Sequence, residues 1–208
     1  MAQNVDNIIQ GAAEVYLHST SKTALGAPTS AQSQKAALNG FVSVGYTSEG
    51  LDITFEPDYL DVEVDTLLDS AALFKTKQRV TIATSFTEAT LENLAFVLGQ
   101  KATTVSGTIA AAGDIKSITI DGGSLGSAPE ERAFMAVGPA PRDLGTTKGA
   151  GELTERVYYA PRVISVEQVG VAVKRNEATM FPVTFRCLPD SASTGSEYGK
   201  VIDRIYGT

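Results

Sequence analysis

The chain has 208 residues, 43% of them hydrophobic and 20% charged, a composition that supports a sizeable folded core and excludes a disordered solvating chain. Its formal charge of −7 comes without a dense cluster of Lys and Arg, which argues against tight binding of a nucleic-acid backbone. One Cys and one His exclude an internal disulfide and a Cys/His zinc site, and no apolar run reaches membrane-spanning length.

The opening MAQNVDNIIQGAA lacks the basic and apolar regions of a signal peptide, so synthesis and folding in cytoplasm are expected. Residues 13–18, AEVYLH, alternate as a short strand with Val15 and Leu17 on one face and Tyr16 and His18 on the other. The small, polar stretch over 19–40 reads as a long loop or a segment ordered only against a partner. FVSVGY, residues 41–46, returns to strand character, and Gly45 marks a bulge or a close backbone approach.

In DYLDVEVDTLL, Leu60, Val62, Val64 and Thr66 alternate with Asp61, Glu63 and Asp65, a period of two that predicts a strand starting after Pro57. RVTIATSF, residues 79–86, repeats the alternation with Val80, Ile82, Thr84 and Phe86 inward. The period then changes. Leu91, Leu94, Ala95 and Leu98 fall at i, i+3, i+4 and i+7, predicting a helix of about three turns, capped by Thr87 or Thr90 and closed by Gly99. Its packing residues are expected to be Leu91, Leu94 and Leu98.

The second half is again strand-rich: 115–120, 131–137, 155–160, 163–173 and 179–188 are separated by turns rich in Gly, Pro and Asp. Residues 145–151 read as a loop. The last stretch is a polar linker followed by Val201, Ile202, Ile205 and Tyr206, which either dock on a neighbouring subunit or pack lightly on their own domain. The pattern predicts a mainly β fold, a β-sandwich or barrel with one flanking α-helix.

No catalytic signature emerges. The phosphate-cradling GxxxxGK[ST] is missing, and no cofactor is implied. Cys187 shares a face with Val183 and Phe185 and reads as a small core hydrophobe, while His18 lacks any companion for metal or acid-base work. Carboxylates are plentiful, but nothing singles out a glycosidase-like pair.

The charge pattern is more informative. From residue 36 to 74 there are eight acids and no Lys or Arg, six of the acids lying in LDITFEPDYLDVEVD, and bases then arrive together at Lys75, Lys77 and Arg79. One reading is a solvated face that blunts an exposed strand edge. The other is head-to-tail assembly, in which one subunit's acids meet the next one's bases.

The run GYTSEGLDITFEPDYLDVEVDTLLDSAALFKTKQRVTIATSFTEATLENLAFVLG resembles the central module of phage tail tube (major tail) proteins. The likeness lies in a Gly-Tyr-Thr-Ser-Glu-Gly turn, a charged extended segment, and a Lys-Thr-Lys approach to a strand that leads into a Leu-striped helix. MFPVTFRCLPD resembles the family's closing strand. The resemblance implies one domain over 1–208 whose subunits close into hexameric rings, stacked as the hollow tube of a virion tail through which phage DNA passes. It implies inter-ring contacts on the extended 47–75 segment, at Glu56, Asp58, Asp61, Glu63 and Asp65, with Lys75, Lys77 and Arg79 as partners across the interface. Thr81, Ala83, Ser85 and Lys116 are the candidates for a smooth, wet inner wall, and 19–40 and 190–208 are further arms. The implied partners are copies of the chain itself, a tape measure protein, a tail terminator, baseplate or initiator proteins, and DNA held without specific contacts. A tail terminator, head-tail connector or secretion-tube protein would share the fold. A β-barrel binding module would need a concave apolar pocket, and an enzyme a buried carboxylate with a raised pKa.

Overall fold

A computed structural model of the chain describes residues 5–18, 40–63, 65, 71–101, 105–120, 122, 124–126, 129–142, 152–167 and 170–207. The expected loops over 19–39 and 145–151, and the positions of Val64 and Thr66, lie outside the described residues. Strand accounts for 50% of the chain, beside one α-helix, so the protein is mainly β.

The elements are β1 (Glu14–His18), β2 (Phe41–Ser43), β3 (Thr47–Val62), β4 (Ala72–Phe86), α1 (Leu91–Val97), β5 (Val105–Ser106), β6 (Ser117–Ile118), β7 (Arg132–Pro139), β8 (Glu152–Ser165), β9 (Phe181–Cys187) and β10 (Lys200–Gly207). One antiparallel sheet runs in the order β2-β1-β7-β8-β9-β4-β3, with β10 added beside β8; β5 and β6 form a separate two-stranded piece.

Alternation builds the core. Val15 and Leu17, Val80 and Ile82, Phe134 and Ala136, and Phe181, Val183, Phe185 and Cys187 all bury into one cluster. Phe185 lies 6.4 Å from Phe86 and 6.0 Å from Phe134, ring centre to ring centre. Burial pushes the Cys187 thiol up to about 12, which keeps it protonated and inert at neutral pH. The alternate residues Tyr16, Met135, Val137 and Val157 form a second cluster, with Ile202 of β10 packed against it. Both faces of β1 and β7 are therefore buried.

Several expected elements differ. The segments 155–160 and 163–173 are one strand, β8, that ends at Ser165. Residues 152–159 of β8 pair with β10 and residues 163–165 pair with β9. Pro161 sits between these two stretches, opposite a register shift in β7, where a residue lacking an N–H costs no ladder bond. The expected strand 115–120 shrinks to Ser117–Ile118, because its apolar residues Ile115 and Ile120 are exposed and meet no core. Residues 200–207 are a strand of the main sheet. Pro57 lies inside β3 opposite Gln78, which an edge strand tolerates.

The helix is two turns long. Thr90 is the N-cap, its hydroxyl accepting from the Asn93 amide at 3.2 Å, and Gly99 takes the left-handed position with φ +64°. The fully buried helix residues are Asn93, Ala95, Phe96 and Val97, whereas Leu91, Leu94 and Leu98 are only half-buried. The Leu stripe is displaced because Asn93 faces inward to tie down the preceding chain: its Nδ2 donates to the carbonyls of Val44 at 2.8 Å and Glu88 at 2.9 Å. The Glu88 carboxylate in turn accepts from the Tyr46 amide at 3.0 Å and passes so close to Gly45 that a Cβ there would fall 2.0 Å away. Gly45 is thus the close approach its sequence position suggests.

Candidate functional site

β3 and β4 begin inside the core and leave it. Ile53 opposite Ile82 and Phe55 opposite Val80 mark the exit; from there the pair continues through Leu60 opposite Phe74 and Val62 opposite Ala72. Residues 54–61 and 73–77 are all exposed. The extended segment is thus a projecting two-stranded hairpin. The Thr-Ser-Glu-Gly stretch is likewise no turn: Glu49 and Gly50 have φ +66° and +73° and form an irregularity within β3, where the Gly50 carbonyl accepts from the Thr84 hydroxyl at 2.8 Å.

The charges are distributed differently from the expected row of carboxylates facing bases on another subunit. Glu56 stands opposite Arg79, with Oε2 and Nη1 3.9 Å apart, and Asp58 stands opposite Lys77. Lys75 donates to the side chain of Gln78 on its own strand. Arg79 and Lys77 are therefore cross-strand neighbours of acids, since β4 runs antiparallel to β3 and returns past them, while Lys75 stands opposite Tyr59. Toward the tip, Asp61, Glu63 and Asp65 are exposed.

Leu60 and Val62 have no core behind them. Phe55, Tyr59, Leu60, Leu73 and Phe74 are 58–62% exposed, an apolar concentration on an otherwise charged arm. Leu60 and Phe74 pair directly, so they share one face.

At the root of this hairpin an apolar cleft of about 500 Å³ opens between strands. Leu51, Ile53, Ile82, Phe134 and Tyr158 contribute to its walls, and the exposed Phe55, Lys200 and Val201 stand at its margin. The sequence reading missed it, because its walls converge from distant segments; the adjacent Tyr158 and Tyr159, both part of the lining, were the available signal. The Tyr198 hydroxyl donates to the Gln78 carbonyl at 3.3 Å and fixes the C-terminal segment to the hairpin root.

β10 is latched to β8 by two ion pairs. Arg204 and Glu155, each with a side chain only 4% exposed, pair directly, and Arg156 grips both carboxylate oxygens of Asp203 at 2.6 and 2.7 Å. The Arg156 guanidinium holds the Asp203 carboxyl below the usual range.

Of the residues expected on a wet wall, Thr81 and Ala83 are half-buried and Ser85 is buried, because β3 and β9 flank β4 on both sides there. Lys116 is ion-paired to Glu92 of the helix, whose carboxyl it holds low. Burial removes Ser85 from a wet wall, whereas Lys116 is partly exposed beside the helix. Among the described residues no group of three or more His, Cys, Asp or Glu could hold a metal ion, and no helix is long and apolar enough to cross a membrane.

A family model for phage tail tube proteins matches residues 1–198. The chain belongs to the phage tail tube protein family. No curated protein matches it. A tail tube protein is a structural component of the virion tail and not an enzyme, so its functional surfaces are those that join it to other tail proteins. The hairpin is an exposed apolar and charged surface, and β2 and β3 end the main sheet as unpaired margins among the described residues.

Proposed function

We propose that this tail tube protein closes into six-membered rings, that the rings stack into a hollow tube, and that the β3–β4 hairpin bridges one ring to the next. The observation that carries the reading is the hairpin itself. A two-stranded arm with exposed Phe, Tyr and Leu side chains is poorly stable in water by itself and gains most when another surface covers it. Sheet margins joined around a ring remove the edges that a lone subunit leaves open.

In this reading Glu56, Asp58, Asp61, Glu63 and Asp65, with Lys75, Lys77 and Arg79, belong to the inter-ring contact. Their cross-strand pairing makes the arm a mixed-charge surface, so the polar part of the contact meets both signs. Thr81, Ala83 and Lys116 remain the wall candidates. Residues 1–208 form one domain, with 19–40 and the C-terminal stretch as further interface arms. The net charge of −7 keeps passing DNA from adhering to the tube. A tape measure protein, a tail terminator and baseplate proteins are the remaining partners, and the subunit is made in the host cytoplasm before joining the virion.

The test is replacement of residues 57–78 by a two-residue Asn-Gly turn, which joins the opposed Glu56 and Arg79 and closes the hairpin near its root. Electron microscopy of the purified variant is expected to show single rings or free subunits where the parent forms tubes. Normal tubes from the shortened protein overturn the proposal.

A further inference from the structure

We infer that the apolar cleft at the hairpin root is the receptor for the hairpin tip of a second copy of the chain, Leu60 and Phe74 entering it side by side. The inference rests on the hairpin reading above and names the surface that the hairpin meets.

Three observations carry it. The tip presents large apolar side chains at 58–62% exposure, and the cleft, of about 500 Å³, is an apolar recess of the size that takes large side chains. Each surface lacks what the other supplies. Second, the two cannot meet within one chain. Phe55 stands at the cleft and Leu60 lies five residues further along the same strand, roughly 17 Å at the usual strand rise of about 3.4 Å per residue. The arm points away from its own receptor. Third, among the described residues the only charged side chain lining the cleft is Lys200, whereas the end of the arm beyond the Asp58–Lys77 pair carries Asp61, Glu63 and Asp65 against one base, Lys75. A base at the margin of the recess meets the acidic end of a mixed-charge arm.

A tip and a receptor on different parts of one molecule make a heterologous contact, and such a contact propagates from copy to copy without closing on itself. It supplies the axial repeat of a stack, while the sheet margins remain available for joining subunits within a ring. The C-terminal strand gains a role here, since β10 contributes Lys200 and Val201 to the receptor.

The experiment uses the full chain carrying Leu60→Cys and Val201→Cys together, oxidised after assembly and run on a non-reducing gel. Both positions are exposed, and the native Cys187, which lines the cleft, is replaced by Ala so that a ladder reports the pair at 60 and 201. The expected result is a ladder of covalent multimers. A disulfide formed inside single chains, or polymers that assemble normally yet give no ladder, overturns the cleft assignment while leaving the hairpin reading standing. A companion variant, Leu60→Ser with Phe74→Ser, is expected to weaken polymerisation at least about a hundredfold in critical concentration. Unchanged polymerisation of that variant overturns the hairpin reading and the cleft assignment together. Reversal of Lys200 to Glu is expected to weaken assembly, with recovery when Asp61 is changed to Lys; recovery specific to that pair supports the docking, and its absence from Asp58, Asp61, Glu63 and Asp65 alike counts against it.

Discussion

Arg204→Met is expected to cost more stability than any other single change on β10. The Arg204 and Glu155 side chains are each 4% exposed and paired across the β8–β10 ladder, where Arg204 stands opposite Glu155. Removing the guanidinium leaves a carboxylate in the interior without its countercharge, and breaking a buried pair in this way costs about 3–5 kcal/mol. For a protein of this size each kcal/mol lowers the melting temperature by about 2–4 °C, so the expected fall is about 6–20 °C. The double variant Glu155→Leu with Arg204→Met removes both charges and is expected to recover most of the loss, since well-packed apolar replacements of a buried pair are often neutral. Urea unfolding of the parent, both single variants and the double variant at neutral pH measures all the terms, with coupling read from the cycle. A loss below about 1 kcal/mol for Arg204→Met, or a double variant no better than the singles, refutes the argument that β10 is held by this pair.

Three further changes test other parts of the structure. Asn93→Ala removes the side-chain bonds that join the helix to the Val44 and Glu88 carbonyls, and is expected to lower stability by about 2–3 kcal/mol in urea unfolding. Glu49→Gly relieves a left-handed backbone position, φ +66°, and is expected to raise stability by about 1 kcal/mol, read as an upward shift in melting temperature. Asp203 has a folded pKa held down by Arg156, so its contribution is present above the ordinary carboxylate range and is lost as pH falls through the folded value. Stability measured from about pH 5 to pH 2 is expected to fall less steeply in Asp203→Asn than in the parent, and parallel profiles would contradict that assignment.

The sequence made the core strands legible where one face met a core. In β1, the 79–86 portion of β4 and β9, inward residues such as Leu17, Ile82 and Phe185 alternate with less buried neighbours or with residues of a second cluster, and the period of two survives. On the hairpin the same alternation misled. Leu60 and Asp61 are both exposed, so apolar and charged positions carry no information about inside and outside there. Helix existence, its Thr90 cap and its Gly99 end were readable because each is a local requirement. Its buried face was readable only in part: Leu94 and Ala95 of the stripe do meet the core, but Asn93 turns inward to reach Val44, 49 residues away in the chain. Nor could spacing show that β8 continues through Pro161, a break signal that the local register shift neutralises. The cleft was the least legible feature, because it exists where the stretch before β1, strands β3, β4, β7, β8 and β9, and the start of β10 come together.

The central claim is that copies join through the projecting hairpin of a tail tube subunit. Electron cryo-microscopy of the assembled polymer, resolved well enough to trace strands, tests it most directly. The account predicts a hollow stack in which residues 55–62 and 72–78 of every subunit cross into the adjoining ring and are covered by it. A stack whose hairpins all point into solvent, with the rings held together elsewhere, would contradict it.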